Sequence, residues 1–335
     1  MNNHSKGSAG AAPVENIAFL KNVSSGEHFS SEDQEPRRVL SDINLLIKRT
    51  EAWGINARSL FEIKLLLEII ANIKPYVGGK CVLAERGMPR HKRTILQHVF
   101  YIGNSDMLYN NMNVLEYLTF AMARLNIRHV ELQEQLLDFI VDIGLSSLLL
   151  TPVRMLTKEE KAVVTLIVAA YSDSLITVFN LPEQEFDGTL MGAIAKISGF
   201  MRDRGKTLVV GTQNCLLIEK ACSHTAFIAD GKLIYQGTVE DLRFTFDKVV
   251  IMLRDKDIYY LMDRLALLLP EYKLSVRDGS LLVSSHGNEA DSPSYLYRKI
   301  VEAGIVPEHM EINPKTVCNG YEELILQYDL QNKLL

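Results

Sequence analysis

The chain of 335 residues lacks a basic excess, long apolar runs and paired cysteines. Lys and Arg number 36 against 41 Asp and Glu, for a net charge of -5. A surface that tracks nucleic-acid phosphates needs the opposite balance, so no nucleic-acid partner is expected. The longest near-continuous apolar run, Ala162 to Tyr171, is about half of a membrane span, so no transmembrane helix is expected. Residues 1–15 are small and polar, read as a flexible tail, and lack the apolar centre of a secretory signal. A cytoplasmic chain follows from that reading. The four cysteines (Cys81, Cys215, Cys222, Cys318) form no C-x-x-C pair, which argues against a disulfide framework and against a metal site. With 47% hydrophobic residues, the composition is that of a globular chain long enough for one large domain and one small one.

What is present is a rhythm. Val39 to Ile47 alternates as a strand does, and Leu60 to Ile73 carries apolar residues at helical spacing. Leu175 to Phe179 and Thr207 to Gly211 are short β-rich runs of the kind buried in parallel sheets, with a helix between them from Gly188 to Arg204. Strand, helix and strand in this order predict an α/β domain with right-handed crossovers. From Asp247 the pattern changes. A strand (Val249 to Leu253), a helix that Asp255 could cap, a hairpin turning at Asp278-Gly279, a helix opened by Ser292-Pro293, a strand (Ile305 to Ile312) and a closing helix (Tyr321 to Leu330) follow one another. The order β-α-β-β-α-β is that of a small ferredoxin-like α+β domain.

The segment Leu156 to Asp187 runs Leu-Thr-Lys-Glu-Glu-Lys, an apolar helix, Asp173 to Pro182, then Glu-Gln-Glu-Phe-Asp. It resembles, without a gap, the core of an ATP-binding cassette (ABC) domain: signature, helix, Walker B strand and Leu-Asp pair. Val39 to Leu45, Asn113 to Leu118 and Phe227 to Thr238 resemble further segments of that family. The resemblance implies a P-loop NTPase-like cassette over residues 16–243, with a helical subdomain at about 105–165. Residues 247–335 would form an extension like that of ABC-2 exporter ATPases.

The family's chemical groups are where the sequence departs. A P-loop needs glycines so that backbone N–H groups can turn inward around phosphates, a Lys for the β/γ phosphates and a Ser/Thr for Mg²⁺. The matching stretch is Ala57, Arg58, Ser59, Leu60, Phe61, Glu62, Ile63 and Lys64, with no glycine. Ile63 stands at the Lys position and Lys64 at the Ser/Thr position; a register starting at Gly54 fares no better. Asn104 falls at the Q-loop, Asn180 at the Walker B Asp, Leu181 at the catalytic Glu and Gln213 at the switch His. Lys158 and Glu159 replace signature glycines. Asp187 keeps the family's residue, and Phe29 is a candidate adenine-stacking aromatic.

Each lost charge-assisted contact costs about 1.5–3 kcal/mol. Glu62 beside a triphosphate would add repulsion of roughly 4 kcal/mol per charge pair. The expectation is that ATP and Mg²⁺ binding is weak or lost, with no catalytic residue and no metal ligand. Ser59-x-x-Glu62 reads instead as a capping box closing the helix start. The expected role is a degenerate ABC ATP-binding subunit on the cytoplasmic face of the membrane, partnered by a permease and by an active ABC ATPase in a heterodimer. Two alternatives stand beside it: a half-site in a composite ATPase, and an interaction protein outside transport.

Overall fold

The computed structural model describes residues 16–28, 37–84, 86–87, 97–103, 108–125, 130–243, 248–277, 279–285, 293–312 and 316–333. Contacts divide the chain into two units, Met1–Gln236 and Gly237–Leu335.

The first unit holds two sheets. One has four strands in the order β4-β1-β6-β7, formed by β1 (Asn16–Ser24), β4 (Ile43–Lys48), β6 (Gly78–Leu83) and β7 (Arg86–Gly87), all paired antiparallel. A two-residue pair, β2 (Glu27–His28) and β3 (Arg37–Arg38), stands apart. The larger sheet has the order β12-β11-β5-β10-β9-β8. Its strands are β5 (Ala52–Ala57), β8 (Val99–Ile102), β9 (Ile176–Asn180), β10 (Thr207–Gly211), β11 (His224–Ala229) and β12 (Lys232–Thr238). From β11 to β8 the neighbours run parallel. Every residue of β9 and β10 is buried, as their continuous apolar sequences require for central parallel strands.

The helix α1 (Leu60–Ile70) lies in the core that both sheets share. Ile63, Leu66, Leu67 and Ile70 are fully buried with Ile17, Ile43 and Ile47 of the antiparallel sheet and with Ile55, Val178 and Val209 of the parallel one. A helix apolar on several faces belongs between two layers rather than on a surface. Gly211 fixes how near α1 comes to β10. A Cβ there would lie 2.5 Å from a methyl of Leu67 and 2.7 Å from one of Ile63. The remaining helices of this unit are α2 (Val114–Arg124), α3 (Val130–Asp142), α4 (Lys158–Tyr171), α5 (Gly188–Asp203) and α6 (Cys215–Ala221).

Two boundaries in this unit differ by several residues from the sequence reading. The strand expected from Val39 begins only at Ile43. The Ser25 hydroxyl binds the N–H groups of Val39 and Leu40, and Asp42 turns the chain at a φ of 53° before pairing starts. Helix α1 stops at Ile70, because Asn72 adopts a left-handed φ of 57°.

The second unit begins with α7 (Val239–Arg243), which packs on α10 (Val317–Lys333). Between them lie β13 (Lys248–Arg254), α8 (Ile258–Leu268), β14 (Tyr272–Arg277), β15 (Ser280–Ser285), α9 (Pro293–Glu302) and β16 (His309–Ile312). The strands form one antiparallel sheet in the order β14-β15-β13-β16, the split βαβ arrangement expected from the order of elements. Ile251, Leu253, Leu281 and Val283 pack beneath Leu261, Leu265, Leu296 and Ile300 of the helices. The cap of α8 is Asp257, whose side chain accepts from the N–H of Tyr260. Asp255, expected in that place, instead accepts from the N–H of Asp257. The last strand is short, His309–Ile312, and the last helix starts earlier than Tyr321, at Val317.

Candidate functional site

Strands β5, β9 and β10 end on one edge of the parallel sheet, the edge where α/β folds place their ligands. The link between β5 and α1 is only two residues, Arg58 and Ser59. Winding of the helix starts at Leu60, within the segment matched to the P-loop, so no open loop intervenes.

Two hydrogen-bonding devices close this junction. The first is the capping box expected from the sequence. The Ser59 hydroxyl accepts from the N–H of Phe61 at 3.2 Å, and Glu62 Oε2 accepts from the N–H of Ser59 at 3.2 Å. The second oxygen of Glu62 accepts from the N–H of Gly231 at 2.6 Å. Gly231 follows Asp230 in the turn between β11 and β12, with φ of 50° and 76° at the two positions, the signature of a tight primed hairpin turn. A Cβ at Gly231 would come within 2.5 Å of the Val39 carbonyl oxygen, so glycine is needed for this approach. Arg58 pairs with Asp230 at 3.7 Å across the same junction. Glu62 is 6% exposed. Burial raises its pKa above the usual 4.5, against the two backbone N–H bonds, which lower it. Both carboxylate oxygens of Glu62 turn inward to backbone N–H groups.

Gln213 acts on the other side of the link. Its amide Nε2 donates to the carbonyls of Ala57 at 2.9 Å and Arg58 at 3.0 Å. Asn180, at the end of β9, is fully buried. Its Nδ2 donates to the Lys64 carbonyl and to the Tyr101 hydroxyl, both at 3.0 Å. Its Oδ1 has no hydrogen-bond partner among the described residues. Leu181 is buried at 3% exposure and presents no polar group. Lys64 pairs with Glu183 at 3.5 Å across the surface. Leu60, Pro182, Glu183, Glu185, Thr212 and Asn214 line a groove of about 330 Å³ together with Gln184 and Gln213.

The structure thus brings together Ser59, Glu62, Lys64, Asn180 and Gln213, and adds Tyr101, Gly231, Glu183 and Glu185, which the sequence reading had not singled out. The Asp230-Gly231 dipeptide was a legible turn signal for Gly231; nothing in the sequence points to Tyr101. Asp187 lies apart, as the cap of α5: its Oδ1 accepts from the N–H of Leu190 at 2.8 Å. The signature segment starts α4 with its own capping box. Thr157 Oγ1 accepts from the N–H of Glu160 at 3.1 Å, and Glu160 returns a bond to the N–H of Thr157 at 2.8 Å. Asn104, Phe29, Asp278 and Ser292 lie outside the described residues.

Among the described residues, no group of three or more His, Cys, Asp or Glu could hold a metal ion, and no helix is long and apolar enough to cross a membrane. Cys81 and Cys222 are buried, and burial pushes both thiols up to about 12.

No protein-family model matches the chain. It is 23% identical over 214 residues to a putative ABC transporter ATP-binding protein of Archaeoglobus fulgidus, covering 63% of this chain and 72% of that one. It is 20% identical over 207 residues to an uncharacterised ABC transporter ATP-binding protein of Methanocaldococcus jannaschii, covering 62% and 74%. Among solved structures, it is similar to cbiO1 from Clostridium perfringens, part of the ABC transporter complex cbiONQ. The TM-score is 0.55 at 15% identity, over 76% of this chain and 96% of that one. The fold is that of ABC ATP-binding cassettes, and the relatives in sequence are ATP-binding proteins of ABC transporters.

Proposed function

We propose that this chain is an ABC ATP-binding subunit that has given up nucleotide chemistry and serves as a structural or regulatory partner of a membrane permease, on the cytoplasmic face. The observation that carries this reading is the sealed β5–α1 junction. The residues present do not fit a magnesium nucleotide. The Ser59 and Phe61 N–H groups are held by the Ser59–Glu62 box, and the carbonyls behind them are held by Gln213. Asn180 supplies no formal charge for a cation and is bound to Lys64 and Tyr101. Leu181 can neither take a proton nor orient water. No step of hydrolysis is derived from such a set.

The relatives named as transporter subunits, and cbiO1 as part of a complex, support a permease as partner. The experiment is purification of the tagged chain from detergent-solubilised membranes. Recovery with a polytopic membrane protein is expected, and a chain found only in the cytosol, alone, would contradict the reading.

A second reading has one observation in its favour. Thr157 and Glu160 keep the capped helix start of a signature segment, so this chain could complete a partner cassette's site. Replacing Lys158 and Glu159 by glycine would then change the ATPase rate of the assembled complex; an unchanged rate would retire that role.

A further inference from the structure

The parallel sheet has a second edge, opposite the β5–α1 junction, where β5 and β11 begin side by side with Trp53 and His224 in register. Three side chains meet there that the transporter reading does not use. The Ser223 hydroxyl and His224 Nδ1 are 3.0 Å apart. On the far side of the same imidazole, Nε2 lies 3.4 Å from Glu51 Oε1. The other oxygen of Glu51 accepts from the indole N–H of Trp53 at 2.7 Å and from the N–H of Lys48 at 2.9 Å. Trp53 is 3% exposed and stacks on the imidazole, with centroids 5.1 Å apart and an interplanar angle of 22°. Hydroxyl, imidazole and carboxylate thus stand in a row, and the ring is held from its face and from one side.

A carboxylate beside Nε2 favours the proton on that nitrogen, which leaves Nδ1 as an acceptor facing the hydroxyl. The Ser223 hydroxyl has two acceptors for its proton, Nδ1 at 3.0 Å and the Ala52 carbonyl at 3.2 Å, and its oxygen accepts from the Ala52 N–H at 3.2 Å. An N–H donor on that oxygen favours the alkoxide that develops as the proton leaves. Ser223 is exposed, so a small molecule reaches it from solvent. A nucleophile within hydrogen-bond reach of a base that a third group orients is the arrangement that activates serine.

The geometry points to Ser223 as an acyl-accepting nucleophile, with His224 as its base and Glu51 as the residue that positions the base. The substrate class is a small acyl ester with a good leaving group, such as an aryl ester or a thioester. Ser223 Oγ attacks the carbonyl carbon and its proton passes to Nδ1. The bond to the leaving group breaks, the leaving group takes that proton, and the acyl group stays on Oγ as an ester. Nothing is oxidised or reduced, and no part of this depends on a permease partner.

The test is covalent labelling of the full chain with p-nitrophenyl acetate, read by mass spectrometry of the peptide that holds residue 223. Acetylation at Ser223 is expected in wild type, and labelling of that serine about 100-fold slower in His224→Gln, the usual contribution of a general base. Glu51→Gln keeps an acceptor for Trp53 and Lys48 but loses the charge. It should slow labelling by about tenfold or more at an unchanged unfolding midpoint, which a merely structural glutamate would not do. A wild type in which Ser223 stays unmodified while lysines are acetylated would overturn the proposal. So would equal labelling of Ser223 in wild type and His224→Gln. If His224→Gln does not fold, wild type unfolded in urea takes its place: slower labelling of Ser223 there than in the native chain supports the site, and equal labelling overturns it. Recovery from membranes tests the transporter reading separately, so the two can fail independently.

Discussion

Asn180 shows at the scale of one residue how a buried amide at the end of a central strand is held by its neighbours. Its amide has one end that donates, and that end meets the Lys64 carbonyl and the Tyr101 hydroxyl. An aspartate here would bring a carboxylate oxygen against the Lys64 carbonyl, with no side-chain donor of its own, in a fully buried position. Asn180→Asp is therefore expected to destabilise the fold by about 1–3 kcal/mol in urea unfolding, and to restore no ATPase activity. A stable, hydrolytic Asn180→Asp would show that this position still awaits a cation.

Glu62 gives the pH-dependent counterpart. Its folded pKa is raised above 4.5 by burial, so the folded chain holds this proton more tightly than the unfolded one. Stability from this group is full below about 4.5 and falls as pH rises through the raised folded value. Glu62→Gln removes that dependence. The difference in unfolding free energy between variant and wild type should thus change across this window in the variant's favour as pH rises. A constant difference from pH 4 to 8 would contradict the assignment.

Helix α1 carries the argument at the scale of elements. Its apolar spacing was plain in the sequence, and so was the Ser-x-x-Glu start, because both depend only on neighbours three or four residues apart. Ser59→Ala should cost about 1 kcal/mol in chemical denaturation, the usual worth of a cap. Gly211→Ala should cost more, about 1–3 kcal/mol, since its methyl would press on Leu67 and Ile63 in a packed core. A neutral Gly211→Ala would mean that α1 can shift away from β10.

The same scale explains what the sequence left out. The short apolar strands β9 and β10 and the hairpin of β14 and β15 were legible from local chemistry. That Gln213 grips the Ala57 and Arg58 carbonyls was not, since the contact spans 156 residues and exists only once β10 has docked beside β5. Nor was the start of β4 at Ile43, which the Ser25 hydroxyl delays from 14 and 15 residues away. Such contacts are set by tertiary approach, and no period in the sequence encodes them.

For the whole molecule, the cassette fold and the transporter relatives set the frame, and the chemistry of one sheet edge sets the function proposed within it. The elements of the cassette fold are in place: a parallel sheet, a helix entering from β5, and capped helices at Thr157 and Asp187. The edge itself is closed by the chain's own side chains, with Glu183 and Glu185 on the groove beside it.

Isothermal titration calorimetry of the purified full chain with Mg-ATP bears most directly on that closure. With no open cradle and the N–H groups of Ser59 and Gly231 already satisfied by Glu62, no saturable heat is expected up to millimolar nucleotide. A saturable isotherm in the micromolar range, abolished by substitutions at the β5–α1 junction, would contradict it.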